Sequence, residues 1–155
     1  MRARFLLAIA LFVLAGCSRP AAETSPIGLP METIVIDTDH GPATFQVEIA
    51  ADNASRERGL MFRKTMEPDH GMLFDFKVTE GVAFWMKNTI LPLDMLFVRA
   101  DGTIASISED AVPYSLDVIS SDEPVRAVIE LNAGRAYYMD IEPGDRVHAS
   151  VFPPS

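Results

Sequence analysis

Alternation of apolar and polar positions divides the chain into short stretches with a period of two. In Thr44–Ala50 (TFQVEIA), Phe45, Val47 and Ile49 alternate with Gln46 and Glu48, the pattern of a strand with one buried face. The β-branched run Thr33–Thr38 precedes it across DHGPA, which together read as strand, turn and strand. DNASRERGLMFRKTM, from Asp52, carries the best helical signal. Asp52 or Asn53 can cap it, Glu57 lies early in it, and the pattern stops near Arg63. Gly59 inside so short a helix costs about 1 kcal/mol relative to alanine, which indicates a close backbone contact there.

Further apolar stretches follow in GMLFDF, VAFWMKNT and DMLFVRADGTIASISE, where Asp101-Gly102 marks a hairpin turn. After a loop with Pro113, VRAVIELNAGRAYYMDI supplies one or two strands. EPGD turns the chain, and RVHASVF closes it with Val147, Ala149 and Val151 on one face. The expected architecture is mainly β: an antiparallel, jelly-roll-like sandwich or barrel of roughly eight short strands with one short helix.

One stretch departs from the alternation. FWMKNTILPLDMLF (Phe84–Phe97) is almost wholly apolar, yet Lys87, Asn88 and Thr89 stand together in it and Asp94 follows. Such groups are costly in a core unless paired. In an extended segment Phe84, Met86 and Asn88 point one way and Trp85, Lys87 and Thr89 the other. Pro92 removes a backbone donor, so a strand bends or ends near it.

The first residues read differently again. Arg2 and Arg4 precede a ten-residue apolar run, Phe5–Leu14, whose helix would rise about 15 Å, half a bilayer's hydrocarbon core. Residues 1–16 are therefore expected to be an export signal. Leu14-Ala15-Gly16-Cys17 resembles the bacterial lipobox, which makes Cys17, the single cysteine of the chain, the expected site of thioether lipid and palmitate attachment. Residues 17–31 read as lipidated cysteine and flexible tether, and 32–152 as a single β-rich domain. The expected location is the bacterial cell envelope, facing the periplasm, with Ser18 favouring the outer membrane. The membrane would be met through the lipid on Cys17.

Composition narrows the partners. The 155 residues are 48% hydrophobic, as in globular proteins, and carry a formal charge of −9. Removing residues 1–16 takes away Arg2 and Arg4 and no acid, which leaves −11. Nucleic acid is not an expected partner of so acidic a chain. No GxGxxG, P-loop, GxSxG or HExxH occurs, and no cofactor is expected.

ERGLMFR (Glu57–Arg63), GMLFDF, FWMKNTILPLDMLFV (Phe84–Val98), Asp101-Gly102 with Ile104, IELNAG (Ile129–Gly134) and EPGD follow one another in this order. Together they resemble the bacterial and archaeal family named domain of unknown function 192, across Glu32–Phe152. The resemblance implies a compact, jelly-roll-like or barrel-like β domain and no particular reaction.

The candidate ligand-binding residues are Arg58, Trp85, Lys87, Asn88, Thr89, Asp94 and Glu130. Lys87 would act as cation, Asn88 and Thr89 as hydrogen-bonding groups, and Asp94 as acid or partner. Equally, Asn88, Thr89 and Asp94 could serve a local turn. Glu130 interrupts AVIEL, so it either faces outward or is buried with a cation such as Lys87, Arg58 or Arg63. These residues suit a pocket for an unknown small ligand or a surface for another envelope protein. A hydrolytic enzyme would use Asp94 or Glu130 as acid or base and Lys87 or Arg58 to hold negative charge. His70 with Met61, Met66 and Met72 also suits periplasmic copper, unless the methionines simply fill the core.

Overall fold

The computed structural model describes residues 25–154. The expected signal segment 1–16, Cys17, Ser18 and the tether as far as Thr24 lie outside the described residues. From Ser25 the chain is already folded onto the domain. The Leu29 amide donates to the Ser25 hydroxyl at 3.1 Å, Leu29 packs on the core, and the Ile49 amide donates to the Pro30 carbonyl at 2.9 Å.

In chain order the elements are β1 (Met31–Thr38), β2 (Gly41–Ala50), α1 (Asn53–Arg58), β3 (His70–Glu80), β4 (Ala83–Phe84) and β5 (Leu93–Val98). They continue with β6 (Ile104–Ala111), β7 (Ile119–Ser120), β8 (Val125–Asn132), α2 (Arg135–Tyr138) and β9 (Arg146–His148). Seven strands form one sheet in the order β6-β5-β8-β3-β2-β1-β9, while β4 and β7 pair separately. The large sheet curls into a half-barrel until its edges touch. Thr103 bridges Arg146, and the Val147 amide donates to the Gly102 carbonyl at 2.8 Å.

The mainly β expectation holds, with three differences of detail. First, β2 and β3 are parallel, not antiparallel. A parallel pair needs a long crossover, and residues 51–69, including α1, provide it. Second, α1 ends at Arg58, with Gly59 just beyond it at φ 48°, a conformation most residues avoid. The Asp52 side chain accepts from the Ser55 amide at 2.9 Å, and the Ser55 hydroxyl accepts from the Asp52 amide at 3.2 Å, a reciprocal N-terminal cap. Third, α2 breaks the expected run of strand after β8, and β9 has three residues. Val147, Ala149 and Val151 nevertheless all reach the same core.

Period two sorts the central strands onto two cores. Leu73, Leu96, Val98, Ala127, Ile129 and Leu131 face the inside of the curl, with Ile34, Phe45 and Val147. Met72, Phe74, Met95, Phe97 and Val128 face outward, yet they too are buried, beneath Leu60, Met86 and neighbouring loop residues. All six residues of β5 are 0–1% exposed.

Asp94 belongs to the inner face and is fully buried there. One carboxylate oxygen accepts from the Asp110 amide at 3.0 Å and the other from the Ala136 amide at 2.9 Å. It thereby joins β5 to β6 and to the first turn of α2. Asp94→Ala would strand the buried Ala136 amide and remove the partner of the Asp110 amide, so we expect a loss of about 2–4 kcal/mol in urea-unfolding free energy. A cost below about 1 kcal/mol would contradict this role.

Candidate functional site

The outer face of the sheet is not evenly covered. Residues of α1, the outer half of β3 and the segment 81–89 surround an open cleft of about 750 Å³ whose floor includes Glu130. The local chain explains the opening. Opposite β8, the register of β3 shifts between Asp75 and Glu80, Lys77 takes φ 66°, and the strand beyond is exposed. Phe76 and Glu80 from this departing half form one wall.

The 84–89 segment forms another. Phe84 anchors it, with edge-to-face contacts to Phe74 at 5.1 Å, Phe76 at 6.3 Å and Phe97 at 6.4 Å. The expected bend at Pro92 comes earlier, as a turn through Lys87 and Asn88 in which Asn88 takes φ 56°. Asparagine tolerates that left-handed conformation better than most residues. The Thr89 amide donates to the Met86 carbonyl at 3.0 Å and closes the turn. Trp85 and Lys87 share a side: the ammonium stands 5.0 Å from the indole ring centre.

Cations gather at this opening. Arg58 and Lys87 line it and form no ion pair among the described residues. Arg56 also lines it. Its guanidinium donates to the Asp75 carbonyl at 2.9 Å and the Asn53 side chain at 2.5 Å, and lies 5.6 Å from the Phe76 ring centre. None of these partners is a carboxylate.

Glu130 lies in a row that crosses the outer face. Pairing registers set Glu48 beside Met72, Met72 beside Glu130, and Glu130 beside Met95. Neighbouring strands are about 4.8 Å apart, so the two carboxyl-bearing positions stand roughly 10 Å apart across the methionine. Glu48 pairs with Arg63 at 2.5 Å through one oxygen, while its second, Oε2, is buried without a hydrogen bond. Glu130 has no hydrogen bond or ion pair among the described residues and is 5% exposed. Burial among apolar neighbours pushes its carboxyl up to about 8, so near neutral pH it is mostly protonated and able to donate.

Of the sequence candidates, Arg58, Trp85, Lys87, Asn88, Thr89 and Glu130 line one cleft. Thr89 is nearly buried and donates to the Lys87 carbonyl at 3.3 Å. The Asn88 amide approaches the Met61 sulfur at 3.9 Å. Asp94 is not among the lining residues, because strand parity turns it to the opposite face from Met95 and Glu130. Arg56 of the same short helix joins the lining, held there by its contact with Asp75, 19 residues away. Sequence reasoning passed over Phe76, whose place depends on the β3 irregularity. Met72, Met86 and Met95 are 0–1% exposed core residues, and the His70 Nδ1 atom lies 2.8 Å from Asp69. Among the described residues no three His, Cys, Asp or Glu side chains cluster as metal ligands would.

A curled β sheet with a ligand-sized cleft on its convex side is the class of protein these features define. The chain belongs to the family DUF192, described as "Uncharacterized ACR, COG1430", which matches residues 34–149. Among solved structures it is similar to a protein of Sinorhizobium meliloti 1021 provisionally named a transcription regulator. The two share 50% identity over 80% of this chain and 97% of the other, with a TM-score of 0.78. It is also similar to a protein of unknown function from Novosphingobium aromaticivorans DSM 12444, with 35% identity over 83% and 93% of the two chains and a TM-score of 0.81. No curated protein matches the chain.

Glu130 makes stability depend on pH in a predictable sense. Its folded value lies above its ordinary value of 4.5. Its stabilising contribution is therefore complete below about pH 4.5 and is lost as pH rises towards 8, on the order of 5 kcal/mol in all. Glu130→Gln keeps a neutral group and should remove that decline. In urea unfolding, the variant should gain on the wild type as pH rises from about 4.5 and have overtaken it by about pH 8. Parallel profiles for the two proteins would contradict the assignment.

Proposed function

We propose that the domain is a small-ligand-binding module of the bacterial envelope, carried there by lipid on Cys17. The observation that carries the binding reading is Glu130, which lines an open cleft and has no hydrogen bond or ion pair among the described residues. A buried carboxyl without a partner is costly, and a ligand bearing a hydrogen-bond acceptor would satisfy it. The cleft's volume lies within the range of small-molecule sites, and its aromatic walls stand among nearly as many polar and charged residues as apolar ones. The anchoring part rests on the residues around Cys17 and on their likeness to a lipobox.

A hydrolytic reading draws on the same Glu130, since a carboxyl held protonated near neutral pH suits a general acid, with Arg58 or Lys87 stabilising negative charge. Asp94, with both oxygens bonded inside the opposite face, takes no part in it.

Occupancy can be read from Trp85, the chain's single tryptophan, which is 49% exposed at the rim. Two probes with the same aromatic body are suitable: the anion 8-anilinonaphthalene-1-sulfonate and neutral N-phenyl-1-naphthylamine. At least one should quench Trp85 saturably with one-to-one stoichiometry. Gly81 lines the cleft with open space where a side chain would project. Gly81→Phe should therefore weaken binding about tenfold or more at unchanged melting temperature. No saturable binding of either probe, or binding indifferent to Gly81→Phe, would overturn the cleft reading. For the anchor, metabolic palmitate labelling should be lost in Cys17→Ser. Its persistence would exclude lipid on that residue.

A further inference from the structure

The distribution of charge around the cleft says what kind of ligand it takes. Four of the cations in the described residues, Arg63, Lys77, Arg99 and Arg126, pair with carboxylates. Arg56, Arg58 and Lys87, which line the cleft, form no salt bridge among the described residues, though Arg56 is near enough to add to the Ser55 hydrogen bonds that lower the Asp52 carboxyl. Lys64 is likewise unpaired and lines a smaller recess that shares Arg58, Gly59 and Met61 with the main cleft. Arg135 and Arg146 also form no salt bridge among the described residues and lie elsewhere. In a chain of formal charge −9 with abundant acids, however, the gathering of three unmatched cations at one opening, with Lys64 beside it, requires a local reason. The cleft's own carboxylates, Glu57 and Glu80, are exposed and number fewer than its cations, while Glu130 adds little negative charge near neutral pH. The lining is thus net positive on a negative protein.

The apolar part of the lining is equally specific. Phe76, Phe84 and Trp85 form walls with which a flat or alkyl body could make contact, and Lys87 already stands over the indole. We propose that the cleft takes a small amphipathic organic anion, with a carboxylate, sulfonate or phosphate-ester head at Arg58 and Lys87 and an apolar body against Phe76, Phe84 and Trp85. This rests on the binding-module reading and narrows it to one ligand class. Guanidinium and ammonium donors form their strongest hydrogen bonds to such oxygens. Phe84 is held by three other rings, so the apolar wall is largely formed before a ligand arrives.

The same two probes separate this ligand class from the general reading, because they differ by one sulfonate. The anion should bind at least about tenfold more tightly than the neutral amine, and its affinity should fall as sodium chloride is raised. The double variant Arg58→Ala with Lys87→Ala should weaken the anion about tenfold or more and leave the neutral amine within about twofold. Both side chains are exposed, and neither has a hydrogen bond or ion pair among the described residues, so the variant should fold normally, as its melting temperature will verify. Gly81→Phe identifies signal arising outside the cleft, such as on the exposed apolar loop of Val112, Leu116 and Val118. Equal binding of both probes, sensitive to Gly81→Phe but not to the double variant, would overturn the anion assignment and leave the cleft standing. If neither probe responds to Gly81→Phe, the binding module fails and the anion assignment fails with it.

Discussion

Burial of the central strands on both faces is the constraint on which the rest of the structure depends. β5 exposes nothing, and β8 beside it and the first half of β3 beyond β8 expose little. The inner face is covered by the sheet itself, which curls until Thr103 meets Arg146. The outer face must be covered by something else, and the chain supplies irregular segments. Their backbone groups then need partners, and they find them in one another. The Phe62 amide donates to Asn88, the Tyr114 amide to Thr89 and the Met86 amide to Ser115, at 2.9, 3.2 and 3.0 Å. Three separate coverings are thus joined at the Met86–Thr89 turn. The polar residues in an otherwise apolar stretch sit where the cover is joined and where it stops short of the sheet.

That incomplete cover explains why Glu130 is informative. Between Met72 and Met95, a leucine or methionine would pack without the penalty of a desolvated, unpartnered carboxyl. Stability forgone at one position, beside an opening, is what a functional demand looks like in an otherwise consistent core. Glu48, one strand beyond Met72, shows the structural alternative: the same side chain, buried and bridged to Arg63. The different neighbours of these two acids separate a carboxylate that ties the crossover to the sheet from a carboxyl left available.

The alternation of Phe45, Val47 and Ile49, the hairpin turns and the cap at Asp52 are local signals, and the elements they predict are present. The parallel β2–β3 pair was not legible, because the direction of a pairing depends on where a crossover returns. Nor was α2, since four residues carry too little periodicity to stand against a continuing strand. Among the candidate residues, Glu130 and Lys87 stood out through burial cost, which composition reveals. Asp94 stood out for the same reason, but its partners are the amides of Asp110 and Ala136. Backbone donors have no sequence signature. Parity did contain the distinction, since Asp94 and Met95 must face opposite sides, but only the β5–β8 register places Met95 beside Glu130.

Asp75 completes the electrostatic arrangement. Burial alone would raise its carboxyl, but hydrogen bonds from Lys77 and Arg126 outweigh this and hold it below the usual carboxylate value. Its negative charge is thereby committed to two cations, while its backbone carbonyl is left for Arg56. A guanidinium fixed by a carbonyl, an amide oxygen and an aromatic ring is positioned without being neutralised. Its charge is therefore not tied up in a salt bridge at the cleft mouth, and less side-chain freedom would remain to be lost in binding the proposed anion. Had Asp75 turned its carboxylate towards Arg56, the same residues would have given a closed ion pair. The β3 irregularity, which lets Lys77 fold back onto Asp75 at φ 66°, is what keeps these charges apart.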